Sequence, residues 1–289
     1  MKSLIVDGQG QPGLRPAWVR LLVLTLVLSL LGGCGIFGKE FDETEGWSAE
    51  ELYSRASREL GAGNYTRAIE LYRKIEARYP FGRYAMQAQL DLAYAHYRAD
   101  QPEEALAAAD RFIKLYPQNP FVDYAYYLKG VVNYNRSVGF LDRLIPVDAS
   151  QRDPGSAMDA FEDFAELVRR FPDSRYAEDA RQRMLYLRNN LARHEVNVAQ
   201  YYLRRGAYIA AANRAQYVVE RYQRTAAVED ALEVMIAAYQ RLGKDQLAAD
   251  ARRVLVMNRE AGRFIDDGPP PGEITLGRRV WDYLGFDRN

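Results

Sequence analysis

Four stretches of this chain end alike, and that recurrence constrains the fold more than any other feature. GNYTRAIELYRKIEARYP runs to Pro80, DQPEEALAAADRFIKLYP to Pro117, DPGSAMDAFEDFAELVRRFP to Pro172 and RGAYIAAANRAQYVVERYQ to Gln223. Twelve residues before each end stands an alanine: Ala68, Ala105, Ala160 and Ala211. Eight before stand Tyr72, Ala109, Phe164 and Ala215, and one before stand Tyr79, Tyr116, Phe171 and Tyr222. A small residue at a fixed place lets a neighbouring helix approach closely, aromatics fill the groove beside it, and proline stops the helix. Gly and Pro punctuate amphipathic runs from Trp47 onward, with no convincing alternating strand pattern. The expected fold is therefore all-α, a solenoid of stacked helix-turn-helix units.

The pattern resembles the tetratricopeptide repeat. Leu92, Ala93 and His96 fall where that repeat has its Leu, Gly and Tyr in the first helix, and Val198, Ala199 and Tyr202 repeat the match. A fifth, weaker unit offers Tyr239, Gly243 and Ala248, with Ile236 in place of the usual small residue. Against a basic unit of about 34 residues, the first two ends lie 37 apart and the next intervals are 55 and 51. The first excess falls near Ser137 to Pro154 and reads as an inserted loop. The second extends a helix from Tyr176 to about Arg205, without internal Gly or Pro.

The N-terminus carries its own signal. Lys2, Arg15 and Arg20 flank the apolar run Leu21 to Leu31, which is too short to span a bilayer and fits a signal peptide. Leu31-Gly32-Gly33-Cys34 resembles the bacterial lipobox, in which the cysteine is acylated and becomes the new N-terminus. Cys34 is the sole cysteine of the chain, so no disulfide competes for its thiol. By resemblance to lipoprotein sorting, Gly35 rather than Asp after it points to the outer membrane. The expected organisation is a signal peptide over 1–33, a lipidated tether over 34–47, three repeats over 48–172 with the insertion at 137–154, a long helix and two repeats over 173–261, and a tail over 262–289.

His96 occupies a repeat position usually held by Tyr and reads as core, and His194 reads as a polar helix residue. No HExxH, GxSxG or paired-Cys motif occurs. Gly33 to Lys39 matches a phosphate-loop spacing, but Glu40 replaces the magnesium-binding Ser or Thr, no strand precedes it, and cleavage after Gly33 would cut it. Glu103-Glu104 and Glu162-Asp163 suit helix starts and exposed faces. The chain has 39 basic and 39 acidic residues, so no basic excess points to nucleic acid. The expectation is a scaffold rather than an enzyme, with no cofactor and no metal.

Tyrosine is the distinctive residue, 21 in all. First-helix residues of a helical solenoid line its concave face, so Tyr94, Tyr97 and Arg98, with Val131 and Tyr134, are expected to project there and to suit peptide recognition. Packing between helices is the alternative for each tyrosine. In the tail, Leu276, Val280 and Leu284 recur every four residues beside Trp281, after the spacer Gly268-Pro269-Pro270-Pro271-Gly272. That segment reads either as a docking helix or as a solvated tail.

The lipobox, five repeat-like units, the insertion ending Arg152-Asp153-Pro154 and the long helix running into HEVNVAQYYLRRGAYIAAANRAQYVVERY together resemble the BamD family (ComL or YfiO type), lipoprotein subunits of the outer-membrane β-barrel assembly machinery. The resemblance covers about residues 34 to 260. It implies a periplasm-facing scaffold anchored in the outer membrane by lipid. It also implies BamA periplasmic domains bound by the C-terminal repeats, and N-terminal repeats open to other assembly lipoproteins and unfolded outer-membrane proteins. The Asn213-Arg214 step matches the family in the BamA-binding region. Arg214 stands three residues after Ala211 and one before Ala215, at the margin of the packed stripe, where a long cation can reach solvent. Repeat lipoproteins of other kinds, such as a pilotin or a cell-wall-enzyme adaptor, share the outline. A lytic wall hydrolase would need a separate catalytic domain, for which no stretch outside the repeats is long enough.

Overall fold

A computed structural model describes residues 42–138 and 154–264 of the chain. Ten helices follow one another among the described residues: α1 (Ala49–Gly61), α2 (Tyr65–Arg78), α3 (Arg83–Arg98), α4 (Pro102–Leu115), α5 (Val122–Val138), α6 (Gly155–Arg170), α7 (Ala177–Arg204), α8 (Tyr208–Arg221), α9 (Ala227–Arg241) and α10 (Asp245–Glu260). No strand occurs among them, and no described helix is long and apolar enough to cross a membrane. The helices pair as five units, each packed on the next, in one compact body from Ser48 on. The repeat architecture expected from the sequence is present.

Local chemistry sets the boundaries. Ser48 caps α1 through a reciprocal pair: its hydroxyl accepts from the Glu51 amide, and the Glu51 carboxylate accepts from the Ser48 amide at 2.8 Å. Pro102 begins α4, where its missing N–H costs nothing. Tyr79, Tyr116 and Phe171 end α2, α4 and α6 at φ near −130° with positive ψ. The proline after each excludes the helical conformation from the residue before it. Within units one, two, four and five the turn passes through a left-handed residue: Gly63, Asp100, Gly206 and Gly243. Three are glycine, which meets no Cβ clash there, and Asp is among the residues that tolerate it. In unit three the expected insertion stands between α5 and α6 in the sequence. The insertion lies mostly outside the described residues, but its first residue, Ser137, is helical and belongs to α5.

Ala68, Ala105, Ala160 and Ala211 are all fully buried, as are Tyr72, Ala109, Phe164 and Ala215. The alanine permits the approach and the residue four later fills it. A close approach occurs in unit three, where Gly130 of α5 faces Phe164 of α6; a Cβ on Gly130 would stand 2.5 Å from the ring. His96 is buried with its Nδ1 2.7 Å from the Gln101 side-chain oxygen, a satisfied core histidine. Asp163 belongs to a structural network: Lys129 of α5 bridges Asp110 of α4 and Asp163 of α6 at 2.8 and 3.2 Å. The long helix α7 has 28 residues, about 42 Å. Ala192, Val196 and Ala199 on it pack with Ala211, Ala215 and Val218 of α8 and with α9.

First helices of successive units meet in two ways. The backbones of α1 and α3, of α3 and α5, and of α7 and α9 approach one another. Those of α5 and α7 are joined by long side chains. The Tyr127 hydroxyl donates to Asp179, the Arg183 Nε donates to the same carboxylate at 2.8 Å, and the Arg183 guanidinium lies 4.6 Å from the Tyr134 ring centre. Tyr176 stacks on Tyr127 at 4.7 Å. Every member of this cluster is buried.

Candidate partner-binding surfaces

The tyrosines expected on the concave face divide by register. Tyr94 and Tyr134 are only 4% and 6% exposed, and Val131 is buried with them. Their expected projection is corrected: at these positions the ring points between helices, where the area it buries exceeds what the surface would give. Tyr134 is the floor on which Arg183 rests. Tyr94 accepts a hydrogen bond from Arg98 Nη1 at 2.8 Å. Arg98 is exposed; its other nitrogen donates to the Tyr65 hydroxyl, and the guanidinium stacks near both rings, at 5.0 Å from Tyr65 and 5.7 Å from Tyr94. Half-buried Tyr97 accepts from Asn135. Arg98 and Tyr97 therefore stand at the surface, held by Tyr65, Tyr94 and Asn135.

Arg214 projects from α8 with 48% of its side chain exposed and makes a 2.8 Å ion pair with Glu195 of α7. Such a pair at a surface contributes little stability, but it presets the direction of the guanidinium. Cys34, the phosphate-loop-like stretch and the tail segment from Leu276 to Leu284 lie outside the described residues.

The sequence did not announce a further feature beside Arg214. A cleft of about 310 Å³ opens between α6, the middle of α7 and the end of α8. Phe161, Leu191 and Tyr222 form its floor, while Met158 and Tyr217 stand half-exposed at its mouth. Arg188, Arg221 and Glu162 complete the lining. Tyr217 and Arg221 follow Arg214 by three and seven residues, so all three share one face of α8. The exposed aromatic at 217 was a visible sign, but its neighbours on α6 and α7 come from distant sequence.

Comparison with known proteins gives a consistent picture. The sequence model of a family described as outer membrane lipoprotein (YfiO) matches residues 46–255. The outer membrane protein assembly factor BamD of Neisseria meningitidis serogroup A / serotype 4A is 47% identical over 90% of this chain and 99% of its own length. Proteins of the same description from Xylella fastidiosa strain 9a5c and Vibrio cholerae are 39% and 38% identical, over 82% and 81% of this chain and 81% and 95% of theirs.

Proposed function

This chain belongs to the YfiO family of outer membrane lipoproteins, and from that membership we propose that it is a lipid-anchored, non-enzymatic scaffold of outer-membrane β-barrel assembly. The observation that carries the reading is likeness along nearly the whole length of a relative named an outer membrane protein assembly factor. A solenoid of paired helices suits the role, because each unit adds a side-chain-bearing surface without needing a cofactor.

Within that reading, Cys34 carries the lipid that holds the chain to the periplasmic face of the outer membrane. Arg214 is the anchor for the BamA periplasmic domains, turned outward by Glu195 and able to pair bidentately with a partner carboxylate. Arg98 and Tyr97, supported by Tyr94, serve other assembly lipoproteins or unfolded outer-membrane proteins.

Three experiments test it. Purification from detergent-solubilised outer membranes should recover a BamA-type barrel protein; recovery of a secretin or a wall hydrolase instead would favour the pilotin or adaptor reading. Cys34→Ala should release the chain from the membrane fraction, since the acyl chains supply its affinity. Arg214→Glu, with unchanged helicity, should weaken binding to the isolated BamA periplasmic region by about 2 kcal/mol or more. Arg181→Glu, on the exposed start of α7, should change it little. Equal binding by Arg214→Glu and the parent removes that residue from the interface.

A further inference from the structure

We propose that the cleft between α6, α7 and α8 is a docking site for an extended acidic segment of a partner protein, which inserts one aromatic or long aliphatic side chain between Met158 and Tyr217. The floor is apolar and aromatic, the composition of sites that anchor a peptide through one inserted side chain. Its volume takes one large side chain with flanking backbone, not a helix. Half-exposed Met158 and Tyr217 at the mouth would lose their remaining water contact when the cleft fills.

The rim decides the charge of the occupant. Arg221 makes no ion pair or hydrogen bond among the described residues, although it lies at the edge of an apolar surface. Arg188 donates one hydrogen bond to the Gln223 carbonyl and meets no carboxylate among the described residues. Among the described residues Glu162 is the single acidic group of the lining, leaving it with one net positive charge. Two guanidinia flanking an apolar slot favour carboxylates on either side of the inserted residue. A polyanion such as a nucleic-acid backbone would meet Glu162 and a chain with no basic excess. The site goes beyond the Arg214 proposal and stands without it, since it needs neither BamA nor any lipid contact.

The test uses the full mature chain in detergent micelles and a fluorescein-labelled nonapeptide holding one phenylalanine between paired aspartates. Saturable anisotropy binding is expected, lost when the peptide phenylalanine becomes alanine or its aspartates become lysines. Arg221→Glu and Met158→Asp, both at exposed positions, should each weaken it about tenfold or more. Arg221→Glu should also turn the preference toward the lysine-flanked peptide. Arg252→Glu on α10 should change affinity by less than about twofold. The proposal is overturned by an absence of saturable binding below about 1 mM, or by equal binding in the cleft variants. It is also overturned if removing residues 268–289 raises affinity about tenfold, because the chain's own tail then fills the cleft. A dimer dispersed by Met158→Asp would overturn it as well, in favour of a second copy of the chain.

Discussion

Two joints of this solenoid use the same link and surround it differently. Where α1 meets α3, the Tyr53 hydroxyl donates to the buried carboxylate of Asp91 at 2.7 Å. Where α5 meets α7, the Tyr127 hydroxyl donates to the buried carboxylate of Asp179. The first carboxylate sits among hydroxyls and amides with no cation bonded to it, and burial pushes it up to about 7, partly offset by hydrogen bonds from Tyr53, Tyr72 and Gln87. The second is bonded by Arg183, itself stacked over Tyr134. The backbones approach more closely at the first joint than at the second. Where the helices come closer, hydroxyl and amide donors suffice to satisfy the buried carboxyl group. When the gap is wider, long charged and aromatic side chains must span it, and each charge then depends on its partner.

The comparison breaks most sharply at Arg183. Arg183→Met keeps the bulk over Tyr134 but leaves Asp179 buried without its cation. Urea unfolding should register a loss of about 3–5 kcal/mol, and adding Asp179→Asn should restore much of it. If the single variant unfolds like the parent, the second joint does not depend on its charges.

Next in size is a pH dependence at the first joint. The folded Asp91 has its pKa raised to about 7, against about 3.9 for an unfolded chain. Its contribution is therefore greatest below pH 4 and is lost as pH rises through 7, because the folded state holds the proton more tightly. The loss should amount to roughly 2–4 kcal/mol at most. Asp91→Asn should flatten that part of the stability profile; an unchanged slope between pH 4 and 7 would assign the dependence to another group.

A smaller effect is expected inside unit three, between the joints. Gly130→Ala must displace the fully buried Phe164 ring and should cost about 1–3 kcal/mol in the same unfolding measurement. A cost near zero would show that α5 and α6 can separate, and that the wide joint after them has slack to absorb it.

Much of the fold was legible because its rules are local. The alanine, the aromatic and the proline at fixed offsets marked the second helices, and the absence of Gly and Pro over 177–204 marked the long one. The joints were not legible. Tyr127 and Asp179 are 52 residues apart, and no spacing rule connects them. The surface was half legible: Arg98 and Arg214 stand outside as their register implied, whereas Tyr94 and Tyr134 turned inward. A tyrosine's hydroxyl end suits either place, so its composition cannot choose between them. The cleft required three helices from two units to be placed before Met158 and Tyr217 could be seen to face one space.

The 28-residue helix has a kinetic consequence. Almost all packing here joins helices adjacent in the chain, so ordering can begin in any unit and spread to its neighbour without closing long loops. Such a chain would ordinarily fold and fray one unit at a time. α7 interrupts that independence, because it packs on α6, on α8 and on α9. Unwinding its first turns frees Asp179 and Arg183 from α5, and unwinding its last turns uncovers the packing of Ala192, Val196 and Ala199 on α8 and α9. The helix that lengthens the array therefore also couples its halves in time, so that neither is expected to open for long while the other stays closed.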